Sequence, residues 1–118
     1  MEFPQEQITE LKGYFGVVEQ GEEAGLTYFL IPKFKLPEGC TPTECDVLLS
    51  PMPANGYDSR LYFAERIQQA KIPNLYLNWN ATDVRILDRN WHAFSWKLTK
   101  PNLRLAELVL LHLKPLQV

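Results

Sequence analysis

The sequence predicts an α+β domain. Three observations carry that prediction: a short amphipathic segment near the N-terminus, about four β-rich apolar runs in succession, and a leucine-rich segment at the end. Strands that follow one another without helices between them pair most simply as an antiparallel meander, and segregated helices cover it. The expected architecture is a four-stranded antiparallel meander flanked by an N-terminal and a C-terminal helix.

Each element has its own local reason. Residues 4–12 are predicted helical, with Pro4 in the first turn, Glu6 early, Lys12 late and Gly13 as the stop. Ile8 and Leu11 form the narrow apolar stripe of that helix. Residues 14–20 are predicted as the first strand, 21–25 as the turn that reverses it, and 26–31 as its partner. Pro32 marks an irregularity or an edge position near the end of the second strand. A loop over 36–43 leads to a third strand at 45–49. The segment 50–58 holds two prolines and an Asn55-Gly56 pair, which excludes regular structure, and Leu61, Tyr62 and Phe63 form the fourth strand. Residues 67–80 show no clear period. Residues 78–83 have turn character, and 84–87 read as a short strand. Pro101 and Asn102 open a terminal helix that runs through Leu113 and is limited by Pro115. Arg104, Glu107 and Lys114 share one side of it, so most of its circumference is apolar and is expected to be buried.

Composition removes several functional classes. A chain of 118 residues fits one domain over 1–118 and leaves no room for two. The net charge is −2 and no lysine or arginine run occurs, so no nucleic-acid groove is expected. The longest apolar run, 105–113, is interrupted by Glu107 and His112 and is too short to span a bilayer, so no membrane attachment is expected. The acidic, polar N-terminus is unlike a signal peptide, and two thiols with no zinc-type spacing suit a cytoplasmic chain. Cys40 and Cys45 lie five positions apart, without the second pair a four-ligand metal site requires. No phosphate-binding glycine loop, nucleotide fingerprint or zinc helix motif occurs, so neither a metal nor a cofactor is expected.

The densest chemistry lies in residues 86–98, which hold His92, Trp91, Phe94 and Trp96. In an extended segment His92, Phe94 and Trp96 share one face, while Trp91, Ala93 and Ser95 share the other. A histidine beside Asp88 and Arg89 is placed to handle a proton near neutral pH, although a histidine among aromatics equally suits a core. Ser95, His92 and Asp88 are the residue types of a nucleophilic triad, but Ser95 faces away from His92 on a strand. His112 falls in the last helical turn, where a cation suits the dipole. Cys40, in an exposed loop, would need a base to act as a nucleophile.

Three stretches give the chain a family resemblance. Phe34-Lys35-Leu36-Pro37-Glu38-Gly39, the segment 46–57 that ends in Pro53-Ala54-Asn55-Gly56-Tyr57, and Trp91-His92 followed by Trp96 resemble blocks of prokaryotic family E, a bacterial branch of the ubiquitin-conjugating-enzyme superfamily. The resemblance covers roughly 13–116. It implies a conjugating-enzyme-like fold and a setting in bacterial modification systems linked to phage defence. The partners it implies are a ubiquitin-like protein and a ThiF-type adenylating activating enzyme. Standard conjugating enzymes carry the ubiquitin-like protein as a thioester on a cysteine after the fourth strand, and residues 64–96 contain no cysteine. Two functions follow as expectations. One is a noncanonical transferase that uses His92, Ser59 or Ser95; the other is a non-catalytic adaptor. In both, Tyr57, Asp58, Trp91 and Trp96 are the expected binding residues.

Overall fold

A computed structural model describes residues 3–117. Helix α1 (Gln5–Phe15) is followed by strands β1 (Glu19–Glu23), β2 (Leu26–Lys35), β3 (Cys40–Thr41), β4 (Glu44–Ser50), β5 (Arg60–Phe63), β6 (Gln68–Gln69), β7 (Ala81–Ile86) and β8 (Arg89–Ala93). Helix α2 (Leu105–His112) and a 3₁₀ turn (Lys114–Leu116) complete the order. The class is α+β, as expected. The strand count is not: the main sheet has six strands in the order β1-β2-β4-β5-β8-β7, all antiparallel, and β3 pairs separately with β6. The predicted meander corresponds to β1-β2-β4-β5, and the β7–β8 hairpin extends it by two strands.

The extra hairpin hinges on a turn that composition hides. Ile86 pairs with Arg89, leaving Leu87 and Asp88 as a two-residue loop with φ of 52° and 61°. Two positive φ values define the type I′ turn, whose twist matches that of the flanking strands. Leucine is a poor residue for it, so the sequence reads on through the turn as one aromatic stretch. The β1–β2 loop uses the same conformation at Ala24 and Gly25, where the chemistry is ordinary.

Other boundaries moved for identifiable reasons. Helix α1 runs three residues beyond Lys12, through Gly13 and Tyr14 to Phe15, and Gly16 (φ 82°) ends it. A glycine inside the last turn costs only about 1 kcal/mol, and Phe15 packs against Phe34 with ring centroids 5.1 Å apart. The first strand therefore starts at Glu19, not at 14. Pro32 does mark an irregularity: β2 shifts register against β4 between Ile31 and Phe34, and β1 pairs no further than Leu30. Asp46 Oδ1 accepts the amide of the displaced Lys33 at 2.8 Å. Helix α2 starts at Leu105 because Asn102 takes φ 59°, and the Glu107 carboxylate accepts the Arg104 amide at the new N-terminus.

Alternation along the strands divides the interior in two. Phe29, Ile31, Val47, Leu49, Leu61 and Phe63 face the helices and pack with Ile8 and Leu11 of α1 and Leu105 and Val109 of α2. Tyr28, Leu48, Tyr62, Ile86, Trp91 and Ala93 form a second cluster on the opposite face. Among the described residues no helix covers that face; the sheet curls over it. The curl brings the β7–β8 turn onto β1, where the Leu87 amide donates to Glu23 Oε1 at 3.2 Å. A side chain at Gly21 would begin 2.8 Å from Leu87 Cδ1, so the leucine side chain would have to shift to admit one. Among the described residues, no helix is long and apolar enough to cross a membrane.

Candidate binding site at the Tyr57 hairpin

Between β4 and β5 the chain makes a second, miniature hairpin. Asn55 (φ 53°) and Gly56 (φ 87°) form its turn, and Ala54 and Tyr57 exchange backbone hydrogen bonds of 2.9 and 3.0 Å. Asn-Gly is the dipeptide best suited to a type I′ turn, since both residues tolerate positive φ. This small hairpin fixes where the Tyr57 ring leaves the backbone.

Three other segments meet that ring. Arg60, the first residue of β5, places its guanidinium 4.1 Å from the Tyr57 centroid and 5.8 Å from that of Tyr62. It also donates to Asn80 Oδ1. Asn80 Nδ2 in turn donates to the Tyr57 hydroxyl at 2.8 Å, and that hydroxyl shares a 2.8 Å hydrogen bond with Ser95 Oγ. A backbone bond from Ser95 N to Asn78 O (2.7 Å) ties the segment after β8 to the segment before β7 at this corner. Lys97 Nζ lies 5.4 Å from the Tyr57 centroid. The hydrogen bonds with Ser95 and Asn80, with Arg60 and Lys97 nearby, hold the Tyr57 phenol below the usual tyrosine range. Asp58 and Trp96 are exposed beside the cluster, whereas Trp91 is buried in the second core cluster and donates from Nε1 to Ile86 O.

The remaining candidates lie elsewhere. His92 sits opposite Phe63 on β8, and its polar partners are both on Asp83. Its Nδ1 accepts the Asp83 amide at 3.3 Å, and its Nε2 lies 4.0 Å from Oδ1. The structure therefore joins His92 to neither Ser95 nor Asp88. Ser59 is buried and bonds to His112 Nε2 at 2.9 Å. His112 does occupy the last turn of α2, but as a core residue, only 2% exposed. Burial, reinforced by the Arg60 charge, pushes it from 6.5 down to about 4. It is neutral at neutral pH, not the solvent-facing cation the helix dipole suggested.

No known protein family, curated protein or solved structure matches this chain.

Both thiols are free and buried, which corrects the exposed-loop reading of Cys40. Cys40 forms part of β3, and burial raises its pKa; burial pushes the Cys45 thiol up to about 11. A thiol needs its thiolate form to attack. Native protein at pH 7.5 should therefore react with a thiol reagent at least a hundredfold more slowly than urea-unfolded protein, read by mass spectrometry. Equal rates would mean that one of these cysteines is accessible and ionisable after all.

Sequence reasoning found Tyr57 and Ser95 but missed Arg60, Asn80, Lys97 and the Ser59–His112 contact. Asn55-Gly56 signals the turn, and Arg60 beside aromatic residues suggests a stacked cation. Nothing local joins residue 57 to residues 80 and 95.

Proposed function

We propose that this chain is a conjugating-enzyme-like protein of a bacterial, cytoplasmic ubiquitin-like modification system with a role in phage defence. In this reading it binds the ubiquitin-like protein or its adenylating activating enzyme and positions it without a cysteine thioester. The setting comes from the sequence resemblance, and the burial of both thiols, with their raised pKa values, is the observation that carries the thioester-free part of the reading. The succession α1, β1-β2-β4-β5 and α2 supports a conjugating-enzyme-like frame, to which the β7–β8 hairpin is an addition. The Tyr57 corner supports a binding role, because aromatic rings and arginines on rigid backbone lose little entropy on association.

The test is calorimetric binding of the purified chain to the ubiquitin-like protein and to the activating enzyme encoded beside it. Tyr57→Ala is expected to weaken the complex at least tenfold, compared at a temperature where circular dichroism shows both proteins fully folded, because the change also removes the partner of Ser95, Asn80 and Arg60. Unchanged affinity for both partners would remove the hairpin from the interface. One observation favours a second reading, transfer through an oxygen. Ser59 Oγ lies 2.9 Å from a neutral imidazole and lines a cleft of about 210 Å³ with Asp58, Lys100 and Asn102. An adduct that survives thiol but is cleaved by hydroxylamine, and that Ser59→Ala abolishes, would put this reading first.

A further inference from the structure

We infer that the Tyr57 corner is a carboxylate-binding site that receives an acidic group of an extended peptide segment. The binding reading above supplies the source of that peptide; the site itself rests on a count of donors and acceptors. Tyr57 and Ser95 have two hydroxyl protons between them, and one is used in their shared 2.8 Å hydrogen bond. Asn80 donates to the Tyr57 oxygen and its own oxygen accepts from Arg60, so the amide is engaged on both sides and the second proton is left without a named partner in the cluster. Whichever way the shared bond points, one hydroxyl proton is left over from it. Two cations add to this surplus. Among the described residues neither Arg60 nor Lys97 takes part in an ion pair, and the Arg60 Nε is buried with no hydrogen-bond partner. Arg60 is only 9% exposed, so its charge is held in a setting where an unpaired ion is costly.

Asp58 lies beside this corner but, among the described residues, forms no ion pair with Arg60 or Lys97, so the two positive charges and the surplus donor favour a ligand that only accepts and is negatively charged. A carboxylate meets both conditions, and a peptide chain supplies one at its C-terminus or on an acidic side chain. The chain as a whole carries a net charge of −2, so this corner runs against its overall sign. The scaffold is set in advance: the Asn55-Gly56 turn fixes Tyr57, and Asn80 links Arg60 to the phenol. A ligand would then find its donors already in place.

The experiment uses the full chain, labelled with ¹⁵N and ¹³C, and follows the Ser95 and Lys97 amides and the Arg60 Nε–H by NMR. The probes are a six-residue peptide of uncharged residues with a free C-terminal carboxylate, the same peptide as its C-terminal amide, and inorganic phosphate at matched ionic strength. The free acid should give saturable shifts at all three positions, and the amide should bind at least tenfold more weakly. Lys97→Glu should weaken the free acid at least tenfold. Tyr57→Phe, which keeps the ring but removes one hydroxyl, should weaken it about threefold to tenfold. Arg60→Lys serves as a further variant if its spectrum remains folded; the Lys97 and Tyr57 variants decide without it. Equal binding of acid and amide, shifts that never saturate, or tighter binding of phosphate than of the carboxylate peptide would each overturn the inference. Carboxylate binding without any partner-protein complex would overturn the proposed function and leave this site standing. A Tyr57-dependent partner complex without carboxylate binding would do the reverse.

Discussion

Replacing Trp91 with alanine is expected to lower the free energy of unfolding by about 3–5 kcal/mol, the usual range for removing a buried large aromatic. Trp91 is 1% exposed and is the largest member of the cluster on the helix-free face of the sheet. Its Nε1 donates to Ile86 O at 3.1 Å, and the Arg89 guanidinium stands 4.6 Å from its ring. Arg89 in turn reaches Asp46 Oδ2 at 2.8 Å, so the same ring adjoins the ion pair between β8 and β4. Removing it leaves a cavity in a cluster whose described members all come from the strands and their turns, with no helix among them to move in. Urea unfolding followed by circular dichroism measures the loss. Trp91→Phe should cost less than the alanine change, because most of the ring volume stays and only the indole donor goes. A loss below about 1 kcal/mol for the alanine variant would mean that this face is not a packed core.

The second large effect is a dependence of stability on pH set by His112. Its folded value is depressed from 6.5 to about 4, so between those limits the unfolded chain binds a proton that the folded chain does not. Stability therefore rises with pH across that window and falls as acid is added. The loss between pH 7 and pH 5 is about 2 kcal/mol and approaches about 3 kcal/mol near pH 4. The physical origin is the burial of the imidazole between α2 and the start of β5, where Arg60 also opposes a second positive charge. His112→Gln retains a polar partner for Ser59 but cannot titrate. Its stability should be nearly flat between pH 7 and pH 5, even if its value at pH 7 is lower. Parallel curves for the two proteins would show that His112 is not the group responsible.

The parts legible in the sequence were those decided by local chemistry. Unbroken apolar runs through Phe29 to Ile31, Val47 to Leu49 and Leu61 to Phe63 report the central strands, because strands buried on both faces carry no polar alternation. Pro32 announces the break in β2, and Asn55-Gly56 the hairpin under Tyr57. What stayed hidden depends on contacts between distant positions. The packing of Phe15 on Phe34 carries α1 past a glycine that reads as a stop, and Leu87 accepts a left-handed backbone that its side chain does not advertise. His112 looks like an ordinary helix-end cation until β5 is placed against it. The Tyr57 corner was half visible for the same reason. The turn is written in two adjacent residues, while the approach of Asn80 and Ser95 exists only once β8 lies beside β5.

The meeting of Leu87 with Gly21 bears on how this molecule avoids its own kind. A curled sheet that stops short of a full barrel leaves two strand margins with idle amides and carbonyls, and such margins invite pairing with another chain. Here each margin obstructs access to the other: the β7–β8 turn sits against β1, and Glu23 occupies the Leu87 amide. The bare Gly21 lets the Leu87 side chain lie directly on β1, and the Glu23 carboxylate holds the turn there. The protection is mutual, so whatever loosens one margin uncovers both.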